Sequence, residues 1–550
     1  MKWWQKTIAY ELYPKSFMDT RSQGTGTIEG IIEKLDYLAS LGIGAVWITP
    51  MYRSPMVDNG YDIADYTSVD PSYGTIDDMK RLIEEAKKRN IRIVLDLVFN
   101  HSSDKHPWFL ESKKSKDNPK ADWYIWRDAK EDGSAPTNWR GIFGGSAWTW
   151  CEERQQYYLH TFASQQPDLN WAEPAVRRAL YDAANFWVNL GVGGFRIDAI
   201  TYVRKPDVFE DGTPDGDDGM ISVHDMTANQ PGILDYLHEF KKEVSEGHDI
   251  FTVAEANGVS ADELKYWVGE NGAFDMLFEF SHTNLEFKGI ETWCRPEPWE
   301  ISDLKRALRN SQEATKDNGW YPAFFENHDR PRCVNHYFSK NADHKAASKA
   351  MGMLMMSLRG TPFLYQGQEL GMENVAWPSI DCYNDISSYG QYEFALSEGF
   401  SKEEALACVH AFSRDSSRTP MQWDDSENAG FTEGKPWLPV NENYRTLNVK
   451  AESIDPDSVL SWFRKLAEIR NEHPVLMDGS WNELLADDPD LIAYERKNDN
   501  ETVTVIINLS EKEREFDPSL TEGKEILLVS GDDFKHGNLH GLQCVMVTDK

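Results

Sequence analysis

Over the first hundred residues, apolar positions alternate between two periods. Ile28, Ile31, Ile32, Leu35 and Leu38 fall at helical spacing behind Thr27, a good N-cap, and Gly42 closes the run. Ala45 to Pro50 then reads as a buried strand, and a second helix is predicted over Ile76 to Arg89. Further strands are predicted at Ile8 to Tyr13 and Ile91 to Val98. Strands that are apolar throughout, alternating with amphipathic helices, predict a parallel sheet covered on both faces.

From about His101 to Trp171 the alternation stops, and aromatics, glycines and charges follow without a clean period. It resumes with a helix opened by Pro174 and a strand ending at Asp198. Strands are predicted at Ile250–Glu255, Phe274–Phe280, Ala323–Asp329 and Thr361–Tyr365, and a last helix at Ser458–Asn471. Short β-rich runs at Leu491–Tyr494, Val503–Leu509 and Cys544–Val547 close the chain. The expected fold is of the α/β class, a (β/α)8 TIM barrel with a small domain inserted after strand three and a C-terminal all-β domain. The expected boundaries are 1–101 with 172–477 for the barrel, 102–171 for the insertion and 478–550 for a C-terminal β-sandwich.

Composition narrows the function classes. With 57 basic against 91 acidic residues among 550, the formal charge is −34, which argues against nucleic acid and anionic membrane surfaces as partners. Aromatic content of 12%, with 20 tryptophans, supplies flat surface for packing or for stacking on sugar rings. Six widely spaced cysteines without a C-x-x-C indicate neither a zinc site nor a disulfide framework, and fit a reducing compartment. With no apolar signal core at Met1–Lys6 and no membrane-length apolar run, a cytoplasmic protein is expected, a monomer or small homo-oligomer.

The chemistry gathers where predicted strands end. Gly193-Gly194-Phe195-Arg196-Ile197-Asp198 delivers two charged side chains to one face of a strand, because i and i+2 share a face. Arg196 is expected to hold Asp198 ionised as a nucleophile; taken alone, the pair also fits a buried ion pair that only fixes a core. Strand three ends in Asp96-x-x-x-Asn100-His101, strand five in Glu255-Ala256-Asn257 and strand seven in Asn327-His328-Asp329. Carboxylates and imidazoles at four such ends match the end of a (β/α)8 barrel where catalysis sits.

Asp96 to His101, Gly194 to Asp198, Ala254 to Asn257 and Phe325 to Asp329 together resemble the four signature regions of the α-amylase superfamily of glycoside hydrolases. Gln166-Pro167-Asp168-Leu169-Asn170-Trp171, Tyr13 to Phe17 and Ser417 to Trp423 resemble its oligo-1,6-glucosidase and α-glucosidase branch. The resemblance implies retaining hydrolysis, with Asp198 as nucleophile, Glu255 as acid/base kept protonated by its apolar strand, and Asp329 as a third carboxylate that stabilises the transition state. It further implies that His101 and His328 meet sugar hydroxyls and that Asp58 and Tyr61 hold the non-reducing end. It implies too that Arg418 closes that pocket with Asp58 and that Phe143, Phe162 and Gln166 wall it. The implied substrate is a small oligosaccharide or disaccharide, with no cofactor.

Three positions depart from the branch or tune it. The loop that carries calcium in relatives keeps Asp19 but has Arg21, Gln23 and Thr27 at the other ligand positions, so no metal is expected. Arg330 stands where the branch commonly has a neutral residue, and it is expected to bear on the leaving group unless it is a surface arginine. By the same resemblance Ala199, where valine marks α-1,6 preference, implies that maltose-type α-1,4 bonds are cleaved at least as well as α-1,6 bonds, with Asn257 or Arg330 as the rival determinant. Rival readings are an oligo-1,6-glucosidase, a sucrose isomerase or transglucosidase, a trehalose-6-phosphate hydrolase, and a catalytically dead relative. The stretch Ser281 to Ile301 lacks the R-L-D-R-D run of sucrose isomerases.

Overall fold

The structure, a computed structural model, describes residues 1–260, 262–287 and 291–550. Eight strands make the principal sheet: β1 (Ile8–Leu12), β2 (Ile43–Ile48), β3 (Arg92–Val98), β4 (Gly194–Asp198), β5 (Phe251–Glu255), β6 (Met276–Phe278), β7 (Pro322–Ala323) and β8 (Thr361–Tyr365). Their order is β6-β5-β4-β3-β2-β1-β8-β7, the strand sequence of a (β/α)8 barrel. The chain divides into two compact units, one of Trp47–Glu84 and Arg92–Glu279, the other of Met1–Val46, Glu85–Ile91 and Phe280–Lys550.

In the first unit, β4 lies parallel between β3 and β5, with Arg196 beside Asp96 and Phe195 beside Thr252. Close approach at Gly194 explains its glycine: a Cβ there would meet the Phe251 carbonyl oxygen at 2.2 Å. Helix Pro174–Leu190 leads into β4 and ends at Gly191, whose φ of 104° makes the left-handed turn. Residues 102–171 hold helix Pro107–Ser112 and strands Trp126–Arg127, Trp148–Cys151 and Gln156–Leu159, the strands forming one three-stranded sheet. Strands of two to four residues are too short to print a period, and Trp139, Trp148 and Leu159 pack this layer instead.

In the second unit, β8 pairs in parallel with β1 and β7. The strand expected through Asp329 stops at Ala323. Glu326 is turned to Arg332 Nη1 and the Cys333 N–H, and Asn327 Oδ1 accepts from the Asp329 N–H, so side chains have replaced the ladder. Helices Ile386–Ser397 and Lys402–Phe412 occupy the excursion after β8. At the C-terminus five antiparallel strands order as Ser480–Leu484, Leu491–Lys497, Thr502–Asn508, Cys544–Thr548 and Glu525–Val529. All six cysteines are free thiols, and among the described residues no helix is long and apolar enough to cross a membrane.

Candidate active site

One guanidinium organises the ends of β3, β4 and β5. Arg196 Nη1 donates to Asp198 Oδ1 at 2.5 Å and to Asp96 Oδ1 at 2.9 Å, while Nη2 donates to Glu255 Oε2 at 2.6 Å. The register that sets Arg196 beside Asp96 makes this fork possible. Three carboxyl groups therefore share one buried cation. Burial pushes the Asp198 carboxyl well above the ordinary range against the pull of Arg196, and the charges of Glu255 and Asp96 push the same way. Arg196 thus holds Asp198 in place and pulls its carboxyl toward the ionised form, against burial and the two neighbouring carboxylates. Glu255 is half-buried rather than enclosed, and its Oε2 also accepts the Ala199 N–H at 3.2 Å. Ala199 has φ 45° and ψ 34°, a left-handed residue directly after the strand.

Around this cluster the same unit gathers further polar and aromatic side chains. Tyr61 O–H donates to Asp96 Oδ2 at 3.0 Å, and Gln166 Nε2 donates to Asp58 Oδ2 at 3.1 Å. His101 Nε2 lies 3.1 Å from the Tyr61 carbonyl oxygen, and burial lowers its proton affinity against the pull of Asp168 and Asp58. Phe162 packs on His101 at 5.1 Å and on Phe143 at 5.8 Å between ring centres. Asn257 has its carbonyl held by Asn229 Nδ2 at 3.3 Å. Asp168 takes the Thr161 N–H at 2.9 Å, the Thr161 hydroxyl at 2.5 Å and the Lys205 ammonium at 2.6 Å. The Gln166-to-Trp171 motif thereby ties the inserted residues to the segment that follows β4.

The other unit carries the second charged constellation. Asp329 Oδ1 accepts from Arg418 Nη2 at 2.5 Å and from Arg414 Nη1 at 3.2 Å, and Oδ2 lies 3.3 Å from His328 Nε2. Burial alone would raise the Asp329 carboxyl, but His328, Arg414 and Arg418 hold it well below the usual range. Burial also works against a charged His328, yet Asp329 and Glu11 raise its imidazole to about 9. Arg330 is not a surface arginine. Its side chain is 14% exposed, with the guanidinium 5.3 Å from the Phe280 ring and 3.7 Å from Glu291.

Reasoning from sequence omitted several of these groups from the site. Asp96 and Glu11 were within sight, each a charge flanked on both sides by apolar residues, which signals a buried partner. Arg414 and its buried anchor Asp385, whose Oδ1 accepts from Arg414 Nη2 at 2.6 Å, lie in irregular stretches where no period marks an inward side chain. In the Asp19 loop, the carboxylate accepts N–H groups of Arg21 and Gly24 at 2.7 Å each and the Thr432 hydroxyl at 2.6 Å. Both oxygens are thus engaged by the protein itself. Residues 288–290 of the Ser281-to-Ile301 stretch lie outside the described residues.

Carboxylates clustered around one arginine at the strand ends of such a barrel define an enzyme equipped for acid/base and nucleophilic chemistry. The family profile "Alpha amylase, catalytic domain" matches residues 11–479. The chain is 42% identical over 535 residues to an oligo-1,6-glucosidase of Parageobacillus thermoglucosidasius, covering 96% of this chain and 95% of that protein. It is 40% identical over 541 residues to a trehalose-6-phosphate hydrolase of Bacillus subtilis, covering 97% and 95%. The trehalulose synthase MutB of Pseudomonas mesoacidophila MX-45 superposes with a TM-score of 0.93 at 38% identity, covering 100% of this chain and 99% of that one. The chain belongs to the α-amylase family of glycoside hydrolases.

Proposed function

We propose that this enzyme is an exo-acting, retaining α-glucosidase that releases terminal glucose from short α-glucosides, with maltose-type bonds cleaved at least as well as isomaltose-type ones. The observation that carries the reading is Arg196, whose two terminal nitrogens hold Asp198 and Glu255. Sharing one fork favours the closer of the two spacings known for glycosidases, about 5–5.5 Å for retention against about 6.5–9.5 Å for inversion.

In the first step an Asp198 oxygen attacks the anomeric carbon, the bond to the leaving oxygen breaks, and Glu255 gives that oxygen its proton. In the second, Glu255 takes a proton from water, whose oxygen displaces Asp198 and frees α-glucose. Retention requires Asp198 ionised and Glu255 carrying the proton before attack begins. Asp329, kept ionised by His328, Arg414 and Arg418, binds sugar hydroxyls and opposes the positive charge of the transition state. Asp58, Tyr61, His101, Phe143, Phe162, Gln166, His328 and Arg418 hold the terminal glucose; Ala199, Asn257 and Arg330 face the leaving group. The reading assigns 1–101 with 172–477 to the barrel, 102–171 to the insertion and 478–550 to the C-terminal domain. It goes with a cytoplasmic location, in keeping with six free thiols.

The test is proton NMR during turnover of p-nitrophenyl α-glucoside, with kcat/KM on maltose, isomaltose, sucrose and trehalose 6-phosphate. α-Glucose must appear first, and Asp198→Ala must abolish release. β-Glucose as first product, or a wild-type protein inert on every α-glucoside, overturns the reading.

A further inference from the structure

A cavity of about 330 Å³ opens in the unit that carries Asp198, lined in part by Val203–Asp207, the residues that follow β4. None of the candidate substrate-binding residues lines it. Three arginines and a lysine do, in a chain of net charge −34. Two of these cations are neutralised locally: Lys205 Nζ lies 2.6 Å from Asp168 Oδ2, and Arg204 Nη2 donates to Asp207 Oδ1 at 2.8 Å.

Arg127 and Arg154 donate to neutral acceptors instead. Neither forms an ion pair among the described residues. Arg127 Nη1 donates only to the Trp126 carbonyl, at 2.7 Å, and its guanidinium lies over the Phe209 ring at 4.1 Å. Arg154, 6% exposed, donates through Nε to Gln156 Oε1 at 2.8 Å and through Nη1 to the Ser112 and Ser115 carbonyls, and lies 4.5 Å from the Trp126 ring. The neutral acceptors and aromatic faces fix the direction of each fork without cancelling its charge. Burial lowers the proton affinity of both guanidiniums, for Arg154 against the weaker pull of Asp122 and Asp128. One further carboxylate, Asp122, lines the cavity against the two of them.

We propose that this cavity is a binding site for a small phosphate-bearing molecule of monosaccharide size, its phosphate held between the forks of Arg127 and Arg154. Planar guanidiniums held in place by stacking match the geometry of phosphate oxygens. The volume sets the size. At roughly 30 Å³ per water the cavity holds several times what a phosphate ion fills, and a hexose phosphate fits.

The test is calorimetric titration of the full-length protein with glucose 6-phosphate, inorganic phosphate and glucose, with the candidate active site saturated by 1-deoxynojirimycin. Glucose 6-phosphate is expected to bind with Kd on the order of 1 mM or tighter, and glucose not at all. Equal affinity for inorganic phosphate supports the same site with free phosphate as its ligand. Arg127→Gln should weaken binding at least about tenfold while leaving kcat/KM on p-nitrophenyl α-glucoside unchanged. Arg154→Lys, with its melting temperature measured alongside, should do the same. No binding of either phosphate at 10 mM, or wild-type affinity in Arg127→Gln, overturns the proposal. Because the readout is heat of binding, its failure is distinct from failure of the glucosidase reading.

Discussion

Glu11 Oε1 lies 2.5 Å from His328 Nδ1, and the same oxygen accepts the His328 N–H at 3.3 Å. A carboxylate inside β1 thus fixes both the position and the charge of the imidazole beside Asp329. With a folded value near 9 against an ordinary 6.5, protonated His328 stabilises the fold fully below about pH 6.5, and that stability is lost as pH rises through 9. Glu11→Gln removes part of it, on the order of 1–3 kcal/mol. The melting-temperature gap between wild type and variant should be wide at pH 6 and narrow by pH 9.5. A gap that does not change with pH would falsify the charged-imidazole account.

Asp198 carries the opposite consequence. Its carboxyl is raised by burial and by two neighbouring carboxylates, so the folded state favours the protonated form, and stability is lost as pH rises from about 3.8 through the raised value. Asparagine mimics the protonated group. Asp198→Asn should be inactive yet more stable than wild type at pH 7, by on the order of 1 kcal/mol, with the difference closing toward pH 4. Equal or lower stability of the variant at pH 7 would mean that Arg196 compensates the charge in full.

Asp19 caps its own loop. Two N–H groups and one hydroxyl donate to its carboxylate, so protein donors hold the loop. Melting curves with and without excess EDTA should superimpose. Asp19→Ala should cost about 2–4 kcal/mol, because it leaves buried donors unpaired. A fall in melting temperature with chelator would show that a metal binds here after all.

How much of this was legible in the sequence follows from what leaves a period. Thr27 does cap a helix, its hydroxyl accepting the Gly30 N–H, though the run Ile28 to Leu38 is broken at Lys34 into Ile28–Glu33 and Leu35–Ser40. β8 falls where its apolar run puts it, since a strand buried on both faces is largely apolar, and β4 ends at Asp198 as expected. Helices Ile386–Ser397 and Lys402–Phe412 went unread because they pack through small residues such as Ser388, Ala395 and Ala405, which leave no strong stripe. In the site, residues adjacent to strand ends were visible from spacing alone. The Glu11–His328 pair was not: the two lie 317 positions apart, and only the fold brings them together.

The most exacting case is Ala199, whose side chain was expected to leave the acceptor space open. Its φ of 45° adds a backbone constraint that sequence could not reveal. A β-branched side chain in the left-handed region costs roughly 1–2 kcal/mol, so valine brings strain as well as bulk. The Ala199 N–H donates to Glu255 Oε2 at 3.2 Å, and a backbone that relaxes toward negative φ would move this donor away from the proposed acid/base. Ala199→Val should therefore lower the melting temperature and reduce kcat on every substrate, while shifting the isomaltose-to-maltose ratio of kcat/KM upward, roughly 10- to 200-fold at most. Ala199→Gly separates the two effects. Glycine accepts the positive φ without cost and removes bulk, so melting temperature and kcat should hold while the ratio stays on the maltose side. If valine lowers kcat equally on both disaccharides and leaves the ratio unchanged, the backbone alone matters at this position, and the linkage preference has to be sought at Asn257 or Arg330.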